Sequence, residues 1–230
     1  TEWLWSHDQT PAYLHLQRML KFIQWQKRRR GISAGRWVLK APHHLRQIDL
    51  LFKVFPGAQV IQTHRDPLET IPSIASFVYN LWAVYMEKPD PVHAGRQWSA
   101  IFSRGTAETM AYRDAKAADR FLDVWFADTL SQPLAVVTTI YTFVGLKLPQ
   151  GIQQAMERYL EDNRREKRPA HSYAADYFGL SDAGIARDFA AMVLDYLKSA
   201  GVHQVRKDER ITFTSLTPWP GEYIAAEGRF

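Results

Sequence analysis

The chain has 230 residues, 46% hydrophobic and 13% aromatic, with a formal net charge of +5 at pH 7. That content can bury a sizeable core in one globular domain, 1–230, and is too apolar for a disordered chain. With no cysteine, disulfides, thiolate metal sites and cysteine nucleophiles are excluded, and the positive balance suits an anionic ligand although no nucleic-acid-binding motif accompanies it.

No apolar run reaches the roughly 20 residues that a membrane-spanning helix needs, and the opening TEWLWSHDQT lacks the basic-then-apolar pattern of a leader. A cytoplasmic protein is therefore expected. In chain order, residues 11–30 place Leu14, Leu16, Met19, Leu20, Phe22, Ile23 and Trp25 at helical spacing, and the helix ends in the basic run Lys27 to Arg30. That run complements the negative end of the helix dipole and is otherwise solvated. Gly31 and Gly35 break the chain before a strand over Arg36 to Lys40. Pro42 enforces a turn into a helix from about His43 to Phe55, followed by a strand near 58–63, buried on both faces. Helices over 67–87 and about 92–118 flank the breaker Lys88-Pro89-Asp90-Pro91. A third strand covers Phe121 to Phe126, a polar helix covers 149–165, and an amphipathic helix covers about 181–200. The tail from Gly201 to Phe230 is irregular and is expected to cover the core of this or another subunit, which leaves a homo-oligomer open.

The chain is organised around residues 58–77, AQVIQTHRDPLETIPSIASF. Asp66 suits an N-cap, Pro67 the first helical position and Glu69 the third position of a capping box. Arg65 thus stands at the carboxyl end of a strand and beside a helix N-terminus, where open α/β sheets bind anions. Ser73, eight residues on, supplies a hydroxyl about two turns into the helix. Guanidinium plus hydroxyl makes a phosphate site. From the motif alone, Arg65 stands equally well as a partner of Asp66 or Glu69 in a structural turn. If the strands at 36–40 and 58–63 are parallel neighbours, Lys40, His43, His44 and Arg65 fall on one sheet edge.

The segment THRDPLETIPSIASF resembles the 3′-phosphate-binding segment of the sulfotransferases that use 3′-phosphoadenosine 5′-phosphosulfate (PAPS), and LKAPHHL resembles the LKxPxHL segment of bacterial members. The resemblance covers about residues 8–200 and implies a helix-rich α/β domain of the P-loop nucleotide-hydrolase type, three layers with a parallel sheet. It implies Lys40 on the transferring sulfuryl group, His44 as general base with His43 as the alternative, and Arg65 and Ser73 on the 3′-phosphate. Phe126 stands where the family usually has a Tyr near the adenine; it stacks on the base or is simple core. The basic stretch containing Lys167 and Arg168 resembles one that closes on the nucleotide phosphates in bacterial members. The donor would be PAPS and the product adenosine 3′,5′-bisphosphate (PAP), without a metal, and the acceptor a hydroxyl or amine of a small molecule or polymer. No nucleic-acid partner is implied.

The family's Gly-rich loop for the 5′-phosphosulfate has no counterpart among the twelve dispersed glycines. The first strand and phosphate loop are thus expected outside this sequence, which reads as the C-terminal portion of a longer chain and alone would bind donor poorly. A phosphotransferase on the same fold, or a non-catalytic nucleotide- or polyanion-binding scaffold, remain the rival readings.

Overall fold

A computed structural model of the chain describes residues 2–32, 35–163, 174–190 and 192. The basic residues Lys167 and Arg168 lie outside them, as does the tail. The architecture is helix-rich α/β with a two-stranded parallel sheet. The chain divides into two compact units, one formed by the described residues up to Ala58 with Ile101–Arg120, the other by Gln59–Ala100 with the described residues from Phe121 onward.

In the first unit, α1 (Glu2–Ser6) precedes the long helix α2 (Thr10–Arg29). The Asp8 carboxylate accepts the Thr10 N–H at 2.9 Å, and the hydrogen bonds from Thr10 hold that carboxyl below the usual carboxylate range. At the other end Gly31 adopts φ +73°, and the Ile32 N–H returns to the Lys27 carbonyl at 3.0 Å. This left-handed closure needs a residue without Cβ, which is why α2 stops there. A short 3-10 turn, Pro42–Arg46, and α3 (Ile48–Val54) follow, with Gln47 at φ −141° separating them. The continuous helix expected over 43–55 is therefore two pieces. Helix α3 buries Ile48, Leu50, Leu51, Phe52 and Val54. Gln17 of α2 donates to the Val54 carbonyl at 3.0 Å. The distal part of α5 (Pro91–Tyr112) stacks Tyr112 on Phe52 at 5.5 Å, and Thr109 donates to the Leu45 carbonyl at 2.9 Å. Arg120 covers the other edge, 4.2 Å over the Phe52 ring, with its Nε donating to the Ala58 carbonyl at 3.0 Å.

The strand expected at 36–40 does not form. Residues 36–40 join no sheet, and Val38 is 91% exposed. An apolar run favours a strand only where a neighbour completes the ladder. Among the described residues no strand pairs with this one, and β1 (Val60–His64) pairs in parallel with β2 (Phe121–Trp125) in the register Val60↔Phe121 to His64↔Trp125.

In the second unit that sheet is the frame. Strand β1 buries Gln62 and His64 while Ile61 stays 39% exposed, so it is buried on one face rather than on both as its composition suggested. Helix α4 (Pro67–Tyr85) runs through Pro72 and buries Ile71, Ala75 and Val78, a stripe at helical spacing. After β2 the chain turns into α6 (Phe126–Ser131) and α7 (Pro133–Phe143). Gln59 donates to the Phe143 carbonyl at 3.0 Å, tying α7 to the entry of β1. Helices α8 (Gln150–Asp162) and α9 (Asp182–Asp188) complete the described chain. Ser99 donates to Asp188 Oδ2 at 3.1 Å, and Ile185 and Phe189 are buried.

Candidate active site

The β1–α4 junction folds as its residues dictate. Asp66 caps α4, its Oδ1 accepting the Leu68 N–H at 2.8 Å, and Pro67 opens the helix. The cap fixes Arg65 between strand end and helix start. Its Nε donates to Glu69 Oε2 at 2.8 Å, and a second guanidinium nitrogen, Nη2, also lies 2.8 Å from that oxygen. Of the two turn partners open from the sequence, Glu69 is the one adopted. The pair is solvent-facing, with side chains 37% and 42% exposed, so it is a weak electrostatic lock. The guanidinium also lies 4.6 Å over the ring of Phe126, the first residue of α6. Phe126 is half-buried and acts as the floor beneath Arg65.

Ser73 is half-buried on α4. It lies one turn beyond Glu69, hence on the same side of the helix. Between them in the chain the Thr70 hydroxyl is buried with no hydrogen-bond partner, as is Gln62 Oε1 in β1. An unpaired buried hydroxyl on the first turns of a helix fits a site whose polar groups are completed by an anionic ligand. The residue before Arg65 was not singled out by sequence reasoning: His64 is buried at 5%, donates from Nε2 to Asp123 Oδ1 at 2.6 Å and stacks on Trp125 at 4.5 Å. The bond ties the end of β1 to the middle of β2, and the stack pairs His64 with Trp125 at the ends of the two strands, where Arg65 leaves the sheet.

The other candidates belong to the first unit. Lys40 and His43 are exposed, and Lys40 leads into the 3-10 turn rather than closing a strand. His44 is half-buried, with Nδ1 2.9 Å from the Tyr13 hydroxyl. Burial, and then the neighbouring His43, push the imidazole below its ordinary value of 6.5, while burial raises the Tyr13 phenol to about 12. His44 is therefore neutral near pH 7, the state a proton acceptor needs. Tyr13 carried no motif, and only its place on the inner face of α2 could have drawn attention to it. The structure brings Arg65 and Phe126 into contact in one unit, and Lys40, His43 and His44, within five consecutive residues, belong to the other.

A family model described as the sulfotransferase family matches residues 3–150. The chain belongs to the sulfotransferase family. Two solved structures are similar to it over most of its length. Sulfotransferase STF9 from Mycobacterium avium shares 25% identity at a TM-score of 0.69, over 86% of this chain and 49% of that one. Sulfotransferase STF1 from Mycobacterium tuberculosis H37Rv, in its type 1 form, shares 28% at 0.65, over 83% and 47%. The chain thus spans about half the length of these solved sulfotransferases. No curated protein matches it significantly. The matched region contains Lys40, His43, His44, Arg65, Ser73 and Phe126, whereas Lys167 and Arg168 lie beyond it.

Proposed function

We propose that the protein transfers a sulfuryl group from PAPS to a hydroxyl or amine acceptor. The observation that carries this reading is the family match across both polar segments, together with a guanidinium held at the capped start of a 19-residue helix. In this reading Arg65 and Ser73 hold the 3′-phosphate, with charge-assisted donors and the helix N-terminus both favouring a dianion. Phe126 keeps the guanidinium in place and in this reading borders the base. Glu69 then acts as a placeholder, occupying the Nε–Nη2 side of the fork until a more highly charged anion competes for it.

In the transfer step the acceptor oxygen or nitrogen forms a bond to sulfur as the bond from sulfur to the bridging oxygen of the donor breaks. The electron pair of that broken bond stays on the departing PAP. Lys40 neutralises this growing charge, and His44 takes the acceptor's proton through Nε2 while Nδ1–H is held by the Tyr13 oxygen. General-base loss typically costs about 10²–10⁴-fold in rate. The test is transfer from labelled PAPS by the full-length protein carrying Lys40→Ala, His43→Ala or His44→Ala. Lys40→Ala and His44→Ala are expected to lose turnover with PAP affinity largely kept, and His43→Ala to stay active. Normal turnover by His44→Ala would move the base elsewhere.

A further inference from the structure

Arg65 leaves β1 at the point where the backbone ladder stops. The last pair in register is His64↔Trp125, and one residue further the same register sets Arg65 opposite Phe126, whose ring lies 4.6 Å below the guanidinium. Five paired positions align the interiors of the two strands, but past the last pair the ladder gives no further support, and strand ends fray.

His64 grips β2 twice at that end. Its Nε2 donates to Asp123 Oδ1 at 2.6 Å, a diagonal bond, since the register partner of Asp123 is Gln62. Its ring stacks on Trp125 at 4.5 Å with 28° between the planes. For burial alone an aliphatic pair would serve at least as well, because a buried imidazole and carboxylate give up hydration that apolar groups never had. What the polar pair adds is direction. A bond and a stack to residues two apart in β2 fix both the slide and the rotation of one strand end against the other.

Arg65 depends on that alignment. Its guanidinium rests on Glu69 and on the Phe126 ring, and under the sulfuryl-transfer proposal an incoming dianion displaces Glu69. The ring is then the support that stays. Phe126 directly follows Trp125, so the grip of His64 on β2 sets where that ring stands.

We propose that His64, bonded to Asp123 and stacked on Trp125, is a positioning residue for the phosphate site at Arg65, holding the end of β2 so that Phe126 keeps the guanidinium where a 3′-phosphate is bound. This rests on the reading of Arg65 as the 3′-phosphate ligand. The imidazole side chain is only 3% exposed, so its effect passes through Arg65 and not through a contact of its own with the nucleotide. A binding group works when its supports keep it within about 0.5 Å of the productive place.

The experiment is a double-mutant cycle on the full-length protein, read by calorimetry with PAP and with adenosine 5′-monophosphate. His64→Phe keeps a ring on Trp125 and removes the donor. It is expected to weaken PAP binding about tenfold, the lower end of what loss of an orienting partner costs at metal sites, and to leave the monophosphate unchanged. In the Arg65→Ala background the same substitution should change PAP affinity no further, since the group through which it acts is gone. Asp123→Asn, at a side chain 36% exposed, weakens the same bond from the solvent side and should give a smaller loss of the same pattern; it carries the test if His64→Phe does not fold. Equal losses for both nucleotides, or a loss of PAP affinity that persists undiminished beside Arg65→Ala, would reduce the pair to a contact of the fold and overturn the inference. If Arg65→Ala weakens PAP while His64→Phe and Asp123→Asn do not, the positioning role alone falls. If Arg65→Ala itself leaves PAP affinity unchanged, the 3′-phosphate site falls and the positioning role with it.

Discussion

The Tyr13 hydroxyl stands 2.9 Å from His44 Nδ1, joining the inner face of α2 to the 3-10 turn that carries the candidate base. The phenol, raised to about 12, is neutral throughout the physiological range, so it can hold the imidazole without charging it. Acceptance of a proton at Nε2 requires the hydrogen on Nδ1, with the tyrosine oxygen accepting from it. Tyr13→Phe keeps the ring and removes that partner. One such hydrogen bond contributes about 1 kcal/mol. The variant is expected to lose about that much stability in urea titration. It should also lose turnover with little change in donor KM. An unchanged kcat would limit Tyr13 to packing.

The same pair predicts how stability depends on pH. The folded His44 has a lower proton affinity than the unfolded one, so the unfolded state binds more protons once pH falls below about 6.5. This contribution is fully present above that value and is lost as pH falls through the folded pKa. Tyr13 acts at the other end. Its folded pKa is raised from 10.0 to about 12, so its contribution is present below 10 and is lost as pH rises between those values. The pair therefore adds a plateau between about 6.5 and 10, flanked by two slopes. Urea titrations of wild type and His44→Gln across this range check it, since His44→Gln should flatten the acid slope alone.

The strand–turn–helix at residues 60–85 was legible because local chemistry decides it: Asp66 caps, Pro67 starts, and the apolar run before them has a parallel partner in β2. The segment 36–40 was not, because Trp37, Val38 and Leu39 satisfy the composition of a strand while a strand exists only in a ladder. Sequence pattern reports what a segment could pair with, not whether the pair is present. Tyr13 and His64 were missed for a different reason. Their contacts, with His44 and Asp123, span 31 and 59 residues and leave no periodic trace.

At the β1–α4 junction the Arg65–Glu69 pair gives a prediction with opposite signs for its two members. Because both side chains are more than a third exposed, breaking the pair should cost stability no more than about 1 kcal/mol. Under the sulfuryl-transfer proposal, Arg65→Ala should weaken PAP binding by about 2–4 kcal/mol. Glu69→Gln should strengthen it roughly fivefold, since removing one carboxylate near a dianion is worth about 1 kcal/mol in a solvated setting. Calorimetry with PAP and with adenosine 5′-monophosphate separates the cases. The monophosphate lacks the 3′ group and should be indifferent to both changes. Equal loss for both ligands in Arg65→Ala would place the guanidinium elsewhere on the nucleotide.

Two glycines in helices of the second unit make a last prediction, in which the surroundings and not the helix propensity set the sign. Glycine in a helix interior is less favourable than alanine by roughly 1 kcal/mol, so Gly→Ala stabilises where there is room. Gly151, in the first turn of α8, has nothing within 4 Å of where a Cβ would stand, and Gly151→Ala should raise stability by less than about 1 kcal/mol. Gly95 in α5 is the opposite case. A Cβ there would run into the Phe178 carbonyl oxygen and stand 3.0 Å from Phe178 Cβ and 3.1 Å from Leu180 Cγ. The obstacle includes backbone, held by the closure at Gly179 with its φ of +64° and by Phe178, itself only 3% exposed. Relief must come from moving α5 away from the turn, and overpacking of this kind costs about 1–3 kcal/mol. Urea midpoints of the two variants should shift in opposite directions. A Gly95→Ala midpoint at or above the wild-type value would mean that the short 3-10 turn formed by Asp176–Phe178 does not press on α5.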